Sequence, residues 1–81
     1  MNVTEFLEAR IEEDERAAWD LMGEREGDRT LAECKAKRAV IGWWTEGLIG
    51  YVRVDGELTN PLLPLAAVYK DHPDYQQEWA Q

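Results

Sequence analysis

The chain has no serine, one cysteine and one histidine among its 81 residues. Lacking serine, it lacks the commonest hydroxyl nucleophile. A lone Cys34 can form no internal disulfide and fits a reducing compartment. Apolar runs are short, and none approaches the roughly 20 residues a membrane-spanning helix needs. The N-terminus is acidic and polar from Glu5 onward, unlike a secretory signal. No glycine-rich phosphate loop or dinucleotide motif is present; Gly47 and Gly50 flank Leu48 and Ile49 outside any strand-then-helix context. Basic residues number nine against seventeen acids, and phosphate contacts need clustered Lys and Arg. These absences predict a cytoplasmic, non-enzymatic protein with no cofactor or metal, no direct hold on nucleic acid and no membrane segment.

What is present argues for a folded chain. Apolar residues make up 44% of it and four are tryptophan, too much apolar surface for a disordered segment. A domain this short sits near the lower limit of what one core can stabilise. Some apolar surface is left over, so a protein partner or self-association into a homo-oligomer is expected. The net charge of −8 is uneven. Residues 1–28 carry ten acids against three arginines, whereas residues 29–54 carry five basic side chains against Glu33 and Glu46. An acidic first helix against a basic second one follows, although exposed pairs are worth only ~0–1 kcal/mol each.

Periodicity predicts a mainly α domain of three helices with a short C-terminal one, over about 3–22, 29–45, 61–70 and 73–79. Asn2 and Glu5 form a capping-box pair ahead of an apolar series, Val3, Phe6, Leu7, Ile11, Ala18, Leu21 and Met22, interrupted at Asp14. Gly23 is a natural stop. The second helix begins at Asp28 or at Thr30, where Thr30 and Glu33 again have capping-box spacing. Leu31, Cys34, Ile41 and Trp44 make one stripe on it; Ala32, Ala36, Val40 and Trp43 make a neighbouring one. Residues 48–58, with Asp55-Gly56, read either as a small β-hairpin or as a loop with extended character. Asn60-Pro61 starts the third helix, which buries Leu62, Leu65, Ala66 and Tyr69, and His72-Pro73 ends it.

Three features could carry chemistry or binding. Cys34 lies on an apolar helix stripe far in sequence from the histidine, which favours a small buried hydrophobe over a catalytic thiol. Asp71-His72-Pro73-Asp74 brings two carboxylates and an imidazole together, as in a metal site or an acid–base pair. A capped turn explains the same four residues, and no second His or further Cys supplies the remaining metal ligands. Trp43-Trp44 is more telling. Adjacent helical residues point about 100° apart, so one ring is expected in the core and the other at least partly on the surface.

Phe6–Glu15, Leu31–Arg38 and Leu65–Trp79 also resemble, as blocks, a family of small uncharacterised proteins from actinobacteria and their phages. Members look like FLxARLxEDE, then xAKRRI, then a closing YADHPDYxxEW; many also carry a longer middle with a PGPW stretch and several cysteines, which this chain lacks. The resemblance implies a shared fold, no stated activity, and a compact phage or prophage version. The expected function is a protein–protein interaction, with a host protein if phage-encoded. Its candidate surface is Tyr69, Asp71, His72, Asp74, Tyr75 and Trp79 with Trp43 or Trp44. Two other functions compete: an acidic nucleic-acid mimic acting through residues 5–28, and a small enzyme or metal protein built on His72.

Overall fold

The computed structural model describes residues 1–80 and is mainly α. Helix α1 (Val3–Trp19) and helix α2 (Arg25–Thr45) run into a two-stranded hairpin, β1 (Val52–Val54) and β2 (Glu57–Thr59). Helix α3 (Leu62–Ala67) and a single 3-10 turn (Gln77–Trp79) complete the order. The expected architecture is therefore the observed one, and the region 48–58 resolves as a hairpin.

Capping explains where α1 starts. The Glu5 N–H donates to Asn2 Oδ1 at 2.8 Å and the Asn2 N–H returns to the Glu5 carboxylate at 3.3 Å, satisfying two otherwise orphan donors. The end of α1 differs from expectation. It stops at Trp19 rather than near residue 22, and Leu21 and Met22 are exposed in the turn instead of extending the apolar face. The cause lies in α2, which starts at Arg25, a full turn before Thr30. Gly27 then passes so close to Leu21 that a Cβ there would lie 2.2 Å from the Leu21 carbonyl oxygen. Thr30 and Glu33 sit inside the helix and cap nothing. Asp28 Oδ1 instead accepts from the Gly23 N–H at 3.1 Å, tying the turn to the helix it feeds.

Helix α2 ends in a Schellman pattern: the Gly47 N–H bonds the Trp44 carbonyl (3.1 Å) and the Leu48 N–H bonds the Trp43 carbonyl (2.8 Å). Its apolar face is narrower than the sequence suggests. Cys34 and Ile41 are buried and Leu31, Val40 and Trp44 half-buried, but Ala32, Ala36 and Trp43 face outward. The hairpin pairs Val52 with Thr59, Arg53 with Leu58 and Val54 with Glu57 across a turn in which Asp55 and Gly56 both have positive φ, 50° and 85°. Asn60 Oδ1 accepts from the Leu62 N–H at 2.8 Å and so opens α3. That helix is shorter than expected, ending at Ala67, after which consecutive i→i+3 bonds carry the chain to Lys70. Beyond Pro73, only Gln77–Trp79 is helical among the described residues. The core is Phe6, Leu7, Ile11, Cys34, Ile41, Leu62, Ala66 and Trp79.

Candidate functional site

Most of the candidate residues surround one side chain, Phe6. The ring centroids of Tyr69, His72, Tyr75 and Trp79 lie 6.2, 5.7, 6.0 and 5.0 Å from that of Phe6, all in edge-on or tilted geometry. The Arg10 guanidinium covers the same ring at 5.3 Å. Phe6 is fully buried and Trp79 only 7% exposed. Edge-to-face pairs are worth ~0.5–1.5 kcal/mol each beyond area burial, so the closing block stores much of its energy in holding α1. Tyr75 and Trp79 also meet each other edge-on, with ring centroids 5.5 Å apart.

A polar latch lies beside these rings. Arg10, 7% exposed, donates from Nη2 to Glu13 at 2.9 Å and places Nη1 3.6 Å from Asp74. The same Nη1 lies 2.9 Å from Nδ1 and 2.7 Å from Nε2 of His72. The Asp74 N–H also donates to Nδ1, at 3.0 Å. His72 and Asp74 are accordingly taken up by a cation and a turn. Among the described residues no three His, Cys, Asp or Glu side chains are grouped so as to hold a metal ion. Asp71 is exposed. It borders an open groove of about 560 Å³ lined by Val54, Leu63, Ala67, Lys70, Tyr75 and Trp79.

A second relay crosses the three helical segments. The Tyr69 hydroxyl donates to Asp14 Oδ2 at 2.7 Å and accepts from Lys37 Nζ at 3.0 Å. Burial, then the bond to Asp14, pushes the Tyr69 hydroxyl well above the ordinary tyrosine range. Next to it Arg38 holds Glu15 in a two-point contact, 2.7 and 3.0 Å, which keeps that carboxyl below its usual range. Cys34 is 1% exposed, its thiol pushed up by burial and by the Asp14 and Glu15 carboxylates, the opposite of what activates a thiol. Arg10, Asp14 and Lys37 were not among the sequence candidates. For the two on α1 the signal is a charged residue inside an apolar series, Arg10 between Leu7 and Ile11 and Asp14 in the gap after Ile11.

The tryptophan pair divides as expected. Trp44 is half-buried against Tyr51, with ring centroids 5.5 Å apart, while Trp43 is 48% exposed. Around it the connection to the hairpin leaves Leu48 and Tyr51 exposed by 67% and 68%, and Leu58 by 66%. Thr59 is buried, so its neighbour Leu58 stands on the outer face of the hairpin. The sequence candidates thus fall into two sets: Tyr69, His72, Tyr75 and Trp79 around Phe6, and Trp43 at the hairpin end.

Residues 19–81 match the model of a family described as a family of unknown function, DUF6221. The match begins at the last residue of α1, so the Phe6–Glu15 block lies outside it. No curated protein and no solved structure matches the chain. Among the described residues no helix is long and apolar enough to cross a membrane.

Proposed function

The chain belongs to DUF6221, a family of unknown function, and we propose that it is a non-enzymatic protein that works by binding another protein. One observation carries the reading: chemically capable side chains are engaged internally, while large apolar ones stand outside. His72 is held by Arg10 and the Asp74 N–H, Tyr69 by Asp14 and Lys37, and Cys34 is buried. Trp19 and Met22 stand out at the α1–α2 turn and Val68 after α3, and Trp43, Leu48, Tyr51 and Leu58 make up the larger share, from the C-terminal end of α2 to the hairpin. Exposed tryptophan and tyrosine are the residues most often found anchoring protein interfaces. The docking surface in this reading is the hairpin end, with the closing block serving the fold. The resemblance of the closing block to proteins of actinobacteria and their phages extends the proposal to a phage-encoded protein with a host partner in the cytoplasm.

The test is capture from nuclease-treated actinobacterial lysate, with and without a chemical cross-linker that also reports contacts between copies of the bait. Wild type should bring down a partner that a Trp43→Lys/Leu58→Lys variant, still folded by circular dichroism, does not. Equal capture by both would remove the hairpin end from the proposal. Salt separates the competing acidic-mimic reading, in which binding through α1 weakens steeply with ionic strength. Internal pairing counts against that reading, since Glu12, Glu13 and Glu15 are engaged by Arg16, Arg10 and Arg38.

A further inference from the structure

We propose that Asp55-Gly56, at the tip of the hairpin, is a site of spontaneous aspartate isomerisation, a slow modification that undoes the hairpin. The proposal goes beyond the interaction reading and stands on the chemistry of the turn alone.

The sequence singles out this position. Of the aspartates only Asp55 precedes a glycine, and the two asparagines precede Val3 and Pro61. The following residue matters because its main-chain nitrogen is the nucleophile, and only glycine leaves that nitrogen without a neighbouring Cβ. Space at Gly56 is open as well, with nothing within 4 Å of where a Cβ would stand. Elsewhere the carboxylates are held: Asp14 accepts from Tyr69, Asp28 accepts from the Gly23 N–H, and Asp74 faces Arg10. In the turn the side-chain bond runs from Arg53 to the Gly56 carbonyl at 2.9 Å, which leaves the exposed Asp55 carboxylate unpaired among the described residues.

The reaction needs only solvent water. The Gly56 nitrogen forms a bond to Asp55 Cγ and gives up its proton; the C–O bond of the protonated carboxyl breaks, and hydroxyl and proton leave as water. The five-membered imide then takes up a water molecule. Cleavage of its bond from nitrogen to Cγ restores aspartate. Cleavage of the bond from nitrogen to the main-chain carbonyl carbon leaves the chain running through the Asp55 side chain, with the former main-chain carboxyl free.

The fold permits the first step and magnifies the last. Ring closure needs the Asp55-Gly56 peptide to leave the paired turn, in which the two residues hold φ of 50° and 85°. Two strands of three residues, with no third beside them, are marginal in water. Neither strand contributes to the hydrophobic core, so the hairpin can open while the helices stay folded. A two-residue turn also fixes the pairing of Val54 with Glu57 and Arg53 with Leu58. One extra main-chain methylene at its centre breaks that register and moves Leu58 away from its place. On the interaction reading, the modified chain has lost its docking surface.

Prolonged incubation of the full chain at neutral pH, followed by digestion and mass spectrometry, tests the proposal. A protein isoaspartate methyltransferase should then add one methyl group to each modified chain, mapped to Asp55. A species lighter by one water, the imide, should precede it. A parallel sample unfolded in guanidinium chloride should convert faster, while the native sample keeps its helicity as it converts. Asp55→Glu, whose longer side chain cannot close a five-membered ring, should reduce methyl incorporation to background with the helices intact. A native chain without isoaspartate at Asp55 would overturn the proposal, as would incorporation spread evenly over the other aspartates or undiminished in Asp55→Glu. None of these readouts involves a partner, so their failure leaves the interaction reading untouched.

Discussion

Phe6 is the residue on which the closing segment depends. Four rings and a guanidinium meet it. Phe6→Ala should cost about 3–5 kcal/mol in urea unfolding, whereas Trp43→Ala should stay within about 0.5 kcal/mol. Tyr69 gives the pH dependence a sign. Its hydroxyl keeps its proton in the folded chain above the ordinary value of 10.0, through burial first and the Asp14 bond second. The unfolded chain loses that proton sooner, so this contribution to stability is complete below pH 10.0 and diminishes as pH rises beyond it. Urea midpoints should fall into alkaline pH, and Tyr69→Phe should flatten part of that fall while costing about 1 kcal/mol at neutral pH. Glu15 works in the opposite direction: its stabilising pair with Arg38 is present above the ordinary carboxyl value of 4.5 and fades as pH drops below it. At this scale the sequence was least legible. His72 and Asp74 were recognisable as reactive types, but nothing along the chain says that Arg10, sixty-two positions from His72, is buried and holds that ring.

The elements were easier to read than their ends. Local signals with a direct physical cause held: Asn2 with Glu5 opens α1, Asp55-Gly56 turns the hairpin, Asn60 opens α3, and Trp43 and Trp44 diverge as adjacent helical residues must. The start of α2 did not follow its local signal. Thr30 with Glu33 has the right spacing for a cap, but Gly27, which has no Cβ to meet the Leu21 carbonyl, lets the helix begin a turn earlier and pack onto the α1 end. A tertiary approach of that kind leaves no periodic trace. It makes a paired prediction. Gly27→Ala should destabilise by about 1–3 kcal/mol because backbone must shift to admit a Cβ, and Thr30→Ala should change stability by less than about 0.5 kcal/mol. Thermal unfolding of both variants decides it: a larger loss in Thr30→Ala would place the helix start where the capping signal put it. Similarly, α3 reads as ten residues in sequence but supports six, because after Ala67 the chain tightens to i→i+3 bonds that swing Tyr69 and His72 toward Phe6.

Across the whole molecule, the aromatic residues separate by task. Those at the C-terminus complete a core that α1 and α2 cannot close by themselves and Trp44 packs at its edge, whereas Trp43, Tyr51 and, at the end of α1, Trp19 remain outside it. Composition predicted that some apolar surface would be left over, but not which residues would supply it; their location depends on which rings Phe6 recruits. Acidic character has a similar division. Part of it is spent in internal pairs with Arg10, Arg16 and Arg38, and the hairpin end keeps three acids, Glu46, Asp55 and Glu57, beside its exposed apolar side chains. Binding anchored by Trp43 and Leu58 is apolar in its main contacts, so raising ionic strength to the point where the Debye length is ~3 Å should change affinity by less than about tenfold. The most direct test of the division is one assay on the Trp43→Lys/Leu58→Lys variant, in which melting temperature and partner capture, including capture of a tagged second copy, are read from the same preparation. An unchanged melt with capture lost is the predicted result. Capture retained at wild-type strength by a folded variant would contradict the account and return the closing block to consideration as the binding surface.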